Sequence, residues 1–136
     1  MSMVEDKTST VSVDLSIPVQ ADLVVLARLA AATVASRAGF GVEDIEDLRL
    51  AVEELCLSLV GSREDGRLHL NYECDGDAIT VHCAYEVGDP TRGPSGADAD
   101  DLSLRILDAL VDEHGHGPSN GQPAAWLRKQ RSDGTV

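Results

Sequence analysis

At 136 residues, 43% of them hydrophobic, the chain has the length of one domain and enough apolar material for a core. Its 24 acids against 11 bases give a formal net charge of −13, which excludes a binder of the nucleic-acid backbone, since little here could neutralise phosphates. The same excess fits a partner with a basic surface. Aromatic residues make up only 3%, so the core must be built from Leu, Val, Ala and Ile. Cys56, Cys74 and Cys83 are an odd number in no metal-ligand spacing and read as reduced thiols of a cytoplasmic protein. "MSMVEDKTST" is polar, without the apolar run of a signal peptide, and the apolar stretch 23–35 is too short to span a bilayer and contains Arg28.

In chain order, residues 1–8 read as a tail, 9–131 as one domain and 132–136 as a second tail. "TVSVDLSI" alternates Val11, Val13, Leu15 and Ile17 on one face, the pattern of a half-buried strand that Pro18 ends. Residues 20–38 form a helix with Leu23, Leu26, Leu29, Ala30 and Val34 as its inner stripe and Gly39 as C-cap. A second helix runs from Val42 to Val60, with Ile45, Leu48, Val52, Leu55 and Leu59 at 3–4 spacing, and Gly61 closes it. "RLHLNYEC" and "AITVHCAYEV" flank a turn and form an antiparallel hairpin, with Leu68, Leu70, Tyr72, Ile79, Val81, Cys83 and Tyr85 inward. A Gly-, Pro- and Asp-rich loop covers 88–100, followed by the helix "LSLRILDALVDE" capped by Asp100 or Asp101. "HGHG" reads as a helix end and turn, and "PAAWLRK" as a closing strand. His69 and His82 point outward from the hairpin and receive no ligand role, nor do His114 and His116. The order β-α-α-β-β-α-β predicts an α+β, two-layer sandwich with the helices on one face of a mixed sheet.

Inside that order, "DLRLAVEELCLSLV" resembles the N-box helix of the anti-sigma factor serine kinases, within the superfamily of gyrase, histidine kinase and mismatch-repair ATPases (the GHKL, or histidine kinase-like, fold). "YEVGDPTRG" stands where that family carries its first glycine box, "LSLRILDALVDE" resembles the helix after the ATP lid, and "AAWLRKQ" the last strand. The resemblance runs over about residues 10–130 and is closest to divergent actinobacterial members whose boxes are eroded.

The resemblance implies ATP and Mg²⁺ as cofactors and carries a set of site positions onto this chain. Glu54 takes the place of the catalytic base, and Ser58, one turn on, takes the place of the Asn that holds Mg²⁺. A serine hydroxyl is a shorter and weaker oxygen donor than an amide, and Mg²⁺ demands near-ideal octahedral oxygens. Without the resemblance, Glu53 and Glu54 would read as the solvated edge of a core helix. Asp89 stands where the family's Asp accepts a hydrogen bond from adenine; its plain alternative is an Asp-Pro turn. Thr91 replaces the first glycine of the box and Gly93 matches the second, while Leu104 is the remaining nucleotide-binding position. A β-branched Thr91 resists a positive φ and crowds an approaching phosphate. In the lid, Asp101 and Ser103 replace glycines, and the acids of 86–113 face only Arg92 and Arg105, so a triphosphate would be repelled.

Two functions follow from the resemblance. One is an anti-sigma factor that sequesters a sigma factor and is displaced by an antagonist carrying a STAS domain, with ATP binding weak or lost. The other is an active serine-protein kinase that phosphorylates that antagonist. The acidic balance suits the first, because sigma factors present basic DNA-binding helices, and the eroded boxes weigh against the second. A homodimer is expected on the same resemblance. The "DADD" cluster, 98–101, is expected to steer the partner.

Overall fold

The computed structural model describes residues 11–89 and 101–132. They form β1 (Val11–Pro18), α1 (Val24–Arg37), α2 (Val42–Val60), β2 (Arg67–Asp75), β3 (Ala78–Glu86), α3 (Asp101–Leu110), β4 (Glu113–Ser119) and β5 (Gln122–Gln130). The strands make one five-stranded sheet in the order β1-β2-β3-β5-β4. Alternation puts Leu68, Leu70 and Tyr72 of β2, Ile79, Val81, Cys83 and Tyr85 of β3, and Ala125 and Leu127 of β5 on one buried face. The helices cover that face, with α2 against β3 and β5 and α1 against β2, so the architecture is the expected α+β sandwich.

Every neighbouring pair of strands is antiparallel, so the sheet is not the mixed one expected from the sequence. The reason is one extra strand. "EHGHGPS" forms β4, pairing Glu113–Ser119 with Gln122–Arg128, where the sequence suggested a helix end and a turn. Had the chain run from α3 directly into β5, that strand would lie parallel to β3. The crossover instead delivers β4 to the sheet edge, and a hairpin turns back to place β5 between β3 and β4. Gly115 suits this place, because a Cβ there would lie 2.6 Å from Nε1 of Trp126, whose indole lies across the glycine.

α2 follows its expected register: Leu48, Val52, Leu55 and Leu59 are buried, and Gly61 ends the helix with φ of 58°. α1 does not. It begins at Val24, its buried positions are Val24, Ala27, Ala31, Val34 and Ala35, and Leu26 and Leu29 face outward. Small side chains let α1 lie close, and Tyr72 exploits this by donating its hydroxyl to the carbonyl of Ala27 at 2.9 Å. Among the described residues no helix is long and apolar enough to cross a membrane.

Candidate functional site

The site positions on α2 follow from helical geometry. Glu54 and Ser58 are one turn apart, so both leave the helix on the side of α3 and β4. Glu54 is half-buried, and one of its carboxylate oxygens accepts a hydrogen bond from the hydroxyl of Ser103, in the first turn of α3. Ser103, which stands where the resemblance expected a lid glycine, is thus in contact with the carboxylate that the resemblance makes the candidate base. Leu104, next along α3, is half-buried.

Ser58 is buried, and its hydroxyl donates to the Leu55 carbonyl at 2.7 Å. Its oxygen also lies 2.7 Å from Nε2 of His116 on β4. With the single hydroxyl proton given to Leu55, the second contact requires His116 to donate, so the ring carries its proton on Nε2. Burial, and next the neighbouring His114, push the His116 pKa below its ordinary value of 6.5, which keeps the ring neutral at physiological pH. His114 in turn lies 2.6 Å from a carboxylate oxygen of Asp108 on α3. α2, α3 and β4 are therefore joined pairwise by polar side chains around the Glu54–Ser58 face. Among the described residues no group of three or more His, Cys, Asp or Glu could hold a metal ion.

Asp89 lies just past the end of β3, as expected. It is held through its backbone. Its N–H donates to a carboxylate oxygen of Asp65 at 2.9 Å, and its carbonyl accepts from Arg63 at 3.1 Å. Arg63 forks onto Asp65 through two bonds of 3.0 and 2.9 Å, and the Tyr85 hydroxyl donates to the Asp65 carbonyl at 2.9 Å. Glycines permit this crossing: a Cβ on Gly66 would lie 2.2 Å from the Glu86 carbonyl, and one on Gly88 would lie 2.7 Å from the Gly66 nitrogen. Thr91, Gly93, Asp98 and Asp100 lie outside the described residues. The structure thus brings Glu54, Ser58, Ser103 and His116 together, and fixes Asp89 at a strand end through a separate cluster.

Two further groups were not legible beforehand. Lys129 is buried on β5, donates to the Leu110 carbonyl at the end of α3 at 2.9 Å, and lies 3.7 Å from Asp44. Asp44 accepts from the Ser132 backbone and hydroxyl at 2.8 and 2.9 Å. Burial alone would raise the Asp44 pKa, but the Ser132 hydrogen bonds and Lys129 outweigh it and bring it below the ordinary value. On the opposite face of the sheet, His69, Asn71, His82 and Trp126 line a concavity of about 640 Å³, with His69 held 2.7 Å from Glu86. Cys56, Cys74 and Cys83 are free thiols.

Residues 17–122 match the family described as the histidine kinase-like ATPase domain. The chain is also similar to proteins named serine-protein kinase RsbW. Those of Bacillus cereus (strain AH187), Bacillus thuringiensis (strain Al Hakam) and Bacillus anthracis (strain CDC 684 / NRRL 3495) are each 42% identical over 74 residues, covering 54% of this chain. The match spans 42% of the relatives' own length. With the family matched over residues 17–122 and the helices packed on one face of a five-stranded antiparallel sheet, the chain belongs to the histidine kinase-like ATPase domain family.

Proposed function

We propose that this chain is a partner-binding regulator: a cytoplasmic anti-sigma factor that sequesters a sigma factor, is released by a STAS-domain antagonist, and binds ATP–Mg²⁺ weakly or not at all. The observation that carries this reading is the state of Ser58. At the position of the family's Mg²⁺-holding amide, the hydroxyl gives its proton to Leu55 and accepts from His116. A hydroxyl so engaged, beside an imidazole, does not fit an ion that requires octahedral oxygen donors at short range. Mg²⁺ would have to compete with the His116 N–H for the lone pairs of this one short hydroxyl, in place of the longer amide carbonyl. The net charge of −13 supports a basic partner.

Glu54 favours a second reading, the active kinase. The acid keeps its place one turn before Ser58, and the curated relatives are named serine-protein kinases. Titrating the purified chain with the sigma factors of its source organism, with and without ATP–Mg²⁺, separates the two. The binder reading expects one sigma factor to bind with an affinity that nucleotide does not change. Transfer of radiolabelled phosphate from ATP to a serine of a STAS-domain protein would establish the kinase instead.

We further infer a homodimer, because β1 lies at the sheet edge with Val11, Val13 and Leu15 only half-buried, and such an edge is usually covered. Light scattering that returns a 14.4 kDa monomer at tens of micromolar (a concentration on the order of those at which weak dimers form) would count against it.

A further inference from the structure

α1 is built with its small residues inward and its large ones outward. Ala27, Ala31 and Ala35 face the core, while Leu26 and Leu29 are 42% and 50% exposed. Apolar area left in water contributes nothing to folding, so the placement of these leucines has no use within the described residues. α2 repeats the pattern along its outward line, where Leu50 and Leu57 are 50% and 44% exposed. Arg28 of α1 reaches Glu53 of α2 at 3.2 Å, and with Leu29 next to Arg28 and Glu53 one turn from both Leu50 and Leu57, helical spacing sets the three exposed leucines near that junction.

The charges around this face choose its occupant. Glu43 and Glu46 are exposed two turns and one turn before Leu50 on α2, Asp22 is exposed just before α1, Glu46 holds Arg49 at 3.1 Å, and Arg28 is engaged by Glu53. A second copy of the chain would bring one acidic rim against another, and an anionic lipid surface would be repelled in the same way. An amphipathic helix whose apolar stripe is flanked by lysine and arginine meets both features at once.

We propose that the outward face of α1 and α2, centred on Leu29, Leu50 and Leu57, is the docking surface for such a basic amphipathic helix of a partner protein. The proposal locates the partner surface of the regulator described above and rests on that reading only for the partner's identity.

The test uses the full chain and two probes. The first is a synthetic helical peptide with leucines at 3–4 spacing and lysines elsewhere, compared with a counterpart carrying glutamates. Amide shifts induced by the lysine peptide should cluster around Leu29, Leu50 and Leu57. The Leu29→Asp/Leu50→Asp double variant should weaken binding at least ~10-fold, His82→Asp on the opposite sheet face should leave it unchanged, and the glutamate peptide should not bind. The milder pair Leu29→Ala/Leu50→Ala stands in if the aspartates disturb the helices. Shifts confined to the sheet face, or equal affinity for wild type and the double variant, would overturn the proposal. The second probe is the set of sigma factors. Peptide docking as expected, with no sigma factor bound, leaves the surface standing and removes the anti-sigma reading. A sigma factor held equally by wild type and double variant removes the surface and leaves that reading.

Discussion

Ser58 and His116 form the contact on which the functional reading turns, and its chemistry makes two predictions. Ser58→Ala removes the acceptor for the His116 N–H and one helix back-bond. It should cost about 1 kcal/mol of stability, read by urea denaturation, because a net intramolecular hydrogen bond is worth about that much. A loss near zero would mean that the pair does not hold β4 to α2. The second prediction concerns pH. The folded pKa of His116 lies below its ordinary 6.5, so the unfolded chain takes up a proton first as pH falls. Stability from this group is complete above 6.5 and declines below it, by NMR-monitored unfolding across that range. A stability flat between pH 7 and pH 5 in the wild type would contradict the assignment of a neutral imidazole. Asp44 works in the carboxylate range. Its lowered pKa gives a contribution present above its ordinary 3.8 and lost as acid protonates it.

Among the elements, α2 was legible and α1 only half so, for a physical reason. In α2 the leucines recur at 3–4 spacing among charges, so one face alone could be the core. The stretch "LVVLARLAAATVA" is apolar on nearly every side, and its period cannot say which stripe turns inward. Tertiary packing chose the alanines. Ala31→Leu should therefore overpack the α1–sheet interface and cost about 1–3 kcal/mol, while Leu29→Ser should change stability by less than about 0.5 kcal/mol. The reverse ranking in thermal denaturation would restore the leucine stripe as the core. β4 is hard to read in the sequence because glycine and proline are poor strand formers. Its one strand signal was the alternation in "HGHG", which puts both histidines on one side and both glycines on the other. That alternation would also have found His116. Glu54 and Asp89 were placed by the resemblance, and the structure sets both at the element positions expected. Ser103, Arg63 and Asp65 were not foreseen, since their roles depend on contacts between elements distant in the chain. Gly115→Val should drive its side chain into the Trp126 indole, destabilise the β4–β5 hairpin by about 1–3 kcal/mol, and shift the fluorescence of the chain's one tryptophan.

For the whole molecule the governing quantity is a net charge of −13. Charge of that size acts over about a Debye length and accelerates encounter with a basic partner, an effect that salt screens. Of the "DADD" cluster, Asp101 opens α3 and is exposed, while Asp98 and Asp100 lie outside the described residues. Replacing those two by Asn should slow association with the sigma factor proposed as partner several-fold at low salt and leave dissociation and folding nearly unchanged, in stopped-flow traces. Rates that coincide at low salt would assign the cluster to helix capping alone. On the proposed reading, the same acids and the Ser58–His116 contact disfavour a triphosphate–Mg²⁺ complex. Calorimetric titration of the purified chain with ATP–Mg²⁺ tests this most directly. The expected result is no binding tighter than about millimolar, near −4 kcal/mol. A micromolar dissociation constant that disappears when Mg²⁺ is chelated would contradict it and make the chain a nucleotide-dependent kinase.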